Sequence, residues 1–295
     1  MKYKLAFFAA LVVLVALWFT FKGARGIDQP TIPNKAPIPA LFEDKSLFLS
    51  SIKKVQDSRY NKRVTGLTVP HHLLASDLIA RAFHFASRGK YRRILLLCPD
   101  HFKLGDSNIS TTGRNFATVF GELSTDREAV QQLKKLSFVH EQNFLYREHG
   151  IETILPFIKY YFSNAKIIPL VIKTTTSKSQ LDQVITNLKQ VLKVDSLVVQ
   201  STDFSHYLTP SEADVRDQQT IEVLRRANPD DIFTLTQPSH LDSLAAQYIQ
   251  MRLQNEFFES KIQLLDHKNS QDYSQEKVES STSYIVQGYC IENGK

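Results

Sequence analysis

The sequence predicts an α/β fold: a mostly parallel central sheet with helices on both faces, preceded by an N-terminal transmembrane or signal helix. Three observations predict it. From residue 64 onward, short β-branched runs alternate with longer stretches of helical period. Two of the short runs, ILLLC at 94–98 and SLVVQ at 196–200, read as strands covered on both sides. Residues 5–21 (LAFFAALVVLVALWFTF) carry no charge at all.

The N-terminal run comes first. At 1.5 Å per residue it spans about 25 Å, the short end of a bilayer crossing. Lys2 and Lys4 precede it, Trp18 and Phe19 stand near its end, and Lys22 and Arg25 follow. This suits a signal peptide or an uncleaved anchor. Phe19-Thr20-Phe21-Lys22 lacks the small residues a cleavage site wants, which fits an anchor better. A single N-terminal anchor would hold the domain at the membrane on the extracytoplasmic side; cleavage would release it as a secreted protein. Residues 22–41 hold four of the 11 prolines, so they read as an extended tether. The expected organisation is an anchor or signal at 1–22, a Pro-rich linker at 23–41 and an α/β domain at 42–295.

Within the domain, strands are expected at 64–69, 94–98, 167–172 and 196–200, with 284–289 closing the sheet beside 262–265. Helices are expected at 73–87, where Leu74, Leu78, Ala82 and Phe85 share a face, and at 125–136, capped by Ser124 or Thr125. Further helices are expected at 151–162, 179–192, 214–226 and 240–258. Strand–helix alternation of this kind builds a largely parallel sheet, which binds ligands beyond the carboxyl ends of its strands.

Composition narrows the function. Ten glycines argue against glycine-rich binding loops, and two cysteines exclude a disulfide scaffold. Of the net charge of +6, four belong to Lys2, Lys4, Lys22 and Arg25, so the domain itself gives no footprint for nucleic acid. The chain has no G-x-S-x-G elbow, HExxH helix, CxxC pair or phosphate loop.

What remains is histidine. The first strand runs into Pro70-His71-His72, the second into Pro99-Asp100-His101, and the SLVVQ strand into Ser201-Thr202-Asp203-Phe204-Ser205-His206. One helix opens with Glu148-His149 and a later one with His240-Leu241-Asp242. Imidazole is both the commonest metal ligand and the usual acid/base near pH 7. Two imidazoles and a carboxylate would hold a metal and leave positions open. The plainer readings stand beside this. Asp203 either orients His206 or caps a turn, Asp242 is a ligand or a helix cap, Glu152 is a solvated face, and Cys98 and Cys290 are inert thiols.

The ordered set VPHH, LLLCPDHF, EHGIETILPF, IIPLVI, STDFSHY and STSYIV, over residues 60–289, resembles the Memo family, also described as AmmeMemoRadiSam system protein B. That family is similar to class III extradiol ring-cleavage dioxygenases, which implies an extradiol-dioxygenase-like αβα fold. The resemblance implies metal-site residues at His71 and His101. It places the family's third metal residue, a Cys, near Asp242-Ser243, and a carboxylate there would match the dioxygenases. His206 would be the acid/base group oriented by Asp203, with His149 lining the pocket. The chain departs from the pattern at Ile154, Leu208, Leu73 and Leu74.

Two functions follow as expectations. One is a non-haem metal oxidoreductase, with Fe(II) favoured and zinc or copper as alternatives. The other is a catalytically inert, membrane-tethered binding protein. The partners expected are the membrane and a small molecule or peptide, with radical-SAM and AMMECR-like proteins implied by the family name.

Overall fold

The computed structural model describes residues 36–56, 60 and 62–291. The expected anchor and most of the expected linker lie outside the described residues. Among the described residues no helix is long and apolar enough to cross a membrane.

The folded part begins earlier than expected. Ile38 is fully buried and bridges to Phe116, and Arg114 donates to the carbonyls of Ala36 and Pro37. The last stretch of the Pro-rich segment is therefore part of the domain. It leads into helix α1 (Ser46–Ile52).

Strand β1 (Val64–Val69) is followed by a short 3-10 turn and helix α2 (Ser76–Phe85), then by β2 (Arg93–Pro99). Next come β3 (Ile109–Thr111), α3 (Arg127–Leu133) and β4 (Val139–Glu141). Helix α3 is capped by Asp126, whose carboxylate accepts from the Ala129 N–H, rather than by Ser124 or Thr125. The helix expected at 151–162 is two helices, α4 (His149–Glu152) and α5 (Leu155–Tyr161). Pro156 has no N–H to offer the Glu152 carbonyl, so the ladder breaks there. Strand β5 (Lys166–Ile172), helix α6 (Lys178–Val191), β6 (Ser196–Ser201), β7 (His206–Leu208) and helix α7 (Pro210–Arg226) follow. Capping boxes at Ser177/Gln180 and Thr209/Glu212 start α6 and α7. Helix α8 (Leu244–Leu253) continues into a wider turn and then β8 (Lys261–Asn269); β9 (Ser281–Cys290) closes the sheet.

The sheet order is β4-β3-β5-β2-β6-β1-β9-β7, with β8 on β9. The four central strands, β5-β2-β6-β1, are parallel, but β3 meets β5 and β9 meets β1 antiparallel. The sheet is therefore mixed: a parallel centre with antiparallel flanks, where a mostly parallel one was expected. Side chains alternate between two cores. Ile94, Leu96 and Cys98 of β2 face α1, α2 and α5, whereas Leu95 and Leu97 face α3, α6 and α8. Because β2, β6 and β1 are neighbours in register, their carboxyl ends bring His101, Asp203 and His71 to one spot.

Candidate metal centre

His71 follows Pro70 at the end of β1 and is 4% exposed. Its backbone N–H donates to Asp203 Oδ1 at 3.0 Å, and its Nδ1 lies 3.2 Å from Ser201 Oγ. The single hydroxyl proton of Ser201 goes to the Gly150 carbonyl at 2.5 Å. Ser201 Oγ can then only accept from the ring, so His71 carries its proton on Nδ1 and offers the Nε2 lone pair outward.

His101 follows β2. Its Nδ1 is 2.6 Å from Glu148 Oε1, and its backbone N–H donates to Glu148 Oε2 at 3.1 Å. Glu148 is fully buried and also caps α4 by accepting from the Gly150 N–H. Both imidazoles are thus held through Nδ1 by an oxygen, the arrangement that fixes metal-binding histidines in orientation and tautomer. Both Nε2 atoms turn to the same carboxylate: Asp242 Oδ2 lies 3.4 Å from that of His71 and 3.5 Å from that of His101. Asp242 is itself fixed, by the Thr202 hydroxyl on Oδ1 and by the Asp203 N–H at 3.1 Å from Oδ2.

Asp242 does not cap α8. Ser243 does, accepting from the Ala246 N–H at 3.1 Å, and the helix starts at Leu244 rather than His240. His149 stands at the mouth with its side chain 38% exposed, its ring 4.2 Å from that of His101 and 4.9 Å from that of His71. Ring nitrogens of His71, His101 and His149 lie within 4.8 Å of one another.

His206 is placed on β7, and its Nδ1 is 3.1 Å from Thr282 Oγ1. The expectation that Asp203 orients His206 is corrected: Asp203 serves His71, because the turn after β6 aims its carboxylate at the end of β1. Glu152, expected on a solvated face, is 3% exposed and accepts from the Leu41 N–H at 3.2 Å. Burial holds its carboxyl well above the usual range. Cys98 and Cys290 are both free and buried.

Charge in the centre is shared unevenly. Burial, reinforced by the neighbouring His101 and His149, pushes His71 well below the usual imidazole range. For His101, burial works downward but Glu148 and Asp242 outweigh it and raise the ring to about 10. Glu148 holds the Nδ1 proton, so the second proton sits on Nε2 facing Asp242; a divalent ion would take that proton's place. Burial, followed by the Asp242 charge, raises Asp203 to about 8. Burial lowers His206 and His149.

Among the described residues two further groups have metal-ligand spacing: Cys98 with His101 and Glu148, and Asp214 with Asp217 and His267. Burial and the adjacent carboxylates drive the Cys98 thiol well up, which disfavours the thiolate a metal needs. Sequence reasoning singled out the Glu148-His149 pair but missed the roles that Glu148, Ser201 and Gly150 play in the site. The E-H-G triplet carried the signal for two of them, since a glycine after a helix-opening Glu-His pair marks close approach.

A buried cluster of imidazoles and carboxylates beyond the carboxyl ends of parallel strands defines an α/β protein with residues grouped as a metal could be held. The particular family follows from comparison: the Memo-like protein family model matches residues 43–287, and the chain belongs to that family. Among its relatives, a MEMO1 family protein of Ignicoccus hospitalis is 26% identical over 73% of this chain and 79% of its own length. One of Saccharolobus solfataricus is 31% identical over 54% of this chain and 59% of its own length. One of Aquifex aeolicus is 25% identical over 88% and 72% respectively.

Proposed function

We propose that this chain is a Memo-like, metal-dependent oxidoreductase whose non-haem divalent ion is held by His71, His101 and Asp242. The observation that carries the reading is the convergence of two Nε2 atoms on Asp242 Oδ2 at 3.4 and 3.5 Å, with both Nδ1 atoms already committed. Around a tetrahedral or octahedral ion with bonds of about 2.0–2.1 Å, adjacent donors lie about 2.8–3.4 Å apart, so small inward movements would close the set. Two imidazoles and one carboxylate favour ferrous iron; zinc or copper suits the same donors less selectively. When bound, the ion supplies Lewis acidity at its open positions and, if iron, one-electron chemistry.

The chain's own groups complete the reading. His149, at the mouth, lines the approach of a small-molecule or peptide substrate. His206 is the proton-transfer group: burial keeps it neutral near pH 7, ready to accept, and Thr282 holds its ring. The uncharged run at 5–21 supports a membrane tether with the domain outside the cytoplasm. Association with radical-SAM and AMMECR-like proteins rests on the family resemblance alone.

Elemental analysis of the anaerobically purified full-length chain tests this, beside Asp242→Ala and His149→Ala. About one ion per chain is expected in the parent and in His149→Ala, with affinity at least tenfold weaker in Asp242→Ala. A parent that takes up no ion on reconstitution overturns the proposal. Loss of the ion in His149→Ala but not in Asp242→Ala would move the third donor to His149.

A further inference from the structure

A cavity of about 230 Å³, open to solvent beside Leu264 and Arg225, lies between helix α7 and the β8–β9 edge of the sheet. It is lined by Ile221, Leu224 and Arg225 of α7, Ile262 and Leu264 of β8, and Gln287 of β9. Gln287 is 1% exposed, and its Nε2 has no hydrogen-bond partner. The amide is oriented by the other end: Tyr289 donates its hydroxyl to Gln287 Oε1 at 3.0 Å, while Gln247 Nε2 donates to that same hydroxyl at 3.1 Å. An amide N–H₂ left without an acceptor inside a protein is costly, and a wall of four aliphatic side chains offers none. Arg225 pairs with no carboxylate among the described residues, whereas its neighbour Arg226 is held by Glu222.

The lining therefore carries two donors, one of them positively charged, four aliphatic side chains, and no free acceptor. Its complement is a molecule with an apolar body and an acceptor-only, anionic head. Size sets a bound: a cavity of 150 Å³ takes benzene, so one half as large again takes about nine heavy atoms. We propose that this cavity is a binding site for a small monocarboxylate. The apolar body lies against Ile221, Leu224, Ile262 and Leu264; the carboxylate accepts from Gln287 Nε2, and Arg225 balances its charge. The site is built from α7, β8 and β9, and does not rest on the metal reading.

The test uses the full-length chain with ¹³C-labelled Ile and Leu methyl groups, titrated with benzoate, with hexanoate, and with benzyl alcohol as the uncharged control. Saturable shifts confined to the methyls of Ile221, Leu224, Ile262 and Leu264 are expected for the two carboxylates. Benzyl alcohol should bind at least tenfold more weakly. Arg225→Gln should weaken benzoate about tenfold, and Gln287→Leu should abolish its binding while leaving the uncharged control unaffected or improved. Because a carboxylate can also ligate a metal, the titration is repeated in His101→Ala; binding at the cavity should persist there. Absence of saturable shifts at these methyls up to tens of millimolar, or equal binding of benzoate and benzyl alcohol, would overturn the proposal, leaving solvent as the partner of Gln287.

Discussion

At Gly150 a β-carbon would lie 2.4 Å from Cys98 Sγ and 3.4 Å from both the His71 and the His101 rings. No side chain fits there without moving the buried thiol, and the added carbon would sit directly against the two candidate ligands. Gly150→Ala should therefore cost about 1–3 kcal/mol by overpacking and lower metal uptake as well. Cys98→Ala, which removes the nearest atom, should restore much of both. Urea unfolding with metal analysis of the two single variants and the double checks this; a double variant no better than Gly150→Ala alone would place the conflict elsewhere. Glu148 acts one bond further out. Replacing it by Ala removes the acceptor that fixes His101, and such partners are typically worth 10–100-fold in metal affinity. A competitive chelator titration should show a loss in that range, with Glu148→Gln retaining part of the affinity because an amide oxygen can still accept from Nδ1–H. Little of this was legible beforehand. His71 and His101 stood out because they follow strands, whereas the buried acceptor behind each ring depends on how distant segments meet.

Adjacent positions before helix α8 divide two jobs that the sequence leaves merged. Asp and Ser are both favoured helix caps, so a D-S pair ahead of an apolar period does not say which one caps. The structure gives the cap to Ser243 and turns Asp242 toward the histidines. Ser243→Ala should cost about 1 kcal/mol and leave metal affinity unchanged, the reverse of the pattern for Asp242→Ala. Equal effects on stability and affinity in both variants would contradict the division. Another element-scale contact ties β8 to α7: His267 Nε2 lies 2.7 Å from Asp217 Oδ2, and Asp217 is fully buried and also accepts from Ser283. The hydrogen bond to Asp217 raises His267 above its ordinary 6.5. A group whose folded pKa is raised contributes fully below the unfolded value and loses that contribution as pH rises through the folded one. His267→Ala should thus cost about 2–3 kcal/mol near pH 6 and less near pH 9. Denaturant midpoints at the two pH values measure it, and a cost independent of pH would show the ring to be held as a neutral donor throughout. Long elements were legible because β1, β2, β5, β6 and α6 carry clear periods. Strands β3, β4 and β7 are three residues each, too short for any period to register.

Across the whole domain, the proposed ligands come from segments far apart in the chain: His71 after β1, His101 after β2 and Asp242 before α8. An ion that binds only when all three are assembled stabilises the folded state by mass action, about 2.7 kcal/mol when present at a hundredfold over its Kd. Chelation should therefore lower the melting temperature by about 5–10 °C for a domain of this size. An unchanged melting temperature would mean that the ion, if taken up, sits on a surface that folding does not assemble. The alternation of strands and helices announced an α/β architecture, but the antiparallel flanks did not show, since the direction in which β3 and β9 join the sheet is set by loop paths rather than by pattern. The packing of Ile38 against Phe116 was hidden for a related reason: prolines forbid regular structure without forbidding packing.

In the proposed centre two imidazoles and a carboxylate, not a thiolate, hold the ion. X-ray absorption at the metal edge of the reconstituted full-length chain reads the donors directly. One ion is expected, with two imidazoles and oxygen at about 2.0–2.2 Å and no sulfur. A sulfur shell at about 2.3 Å would put Cys98 in the coordination sphere and rule out a centre of imidazole and carboxylate alone.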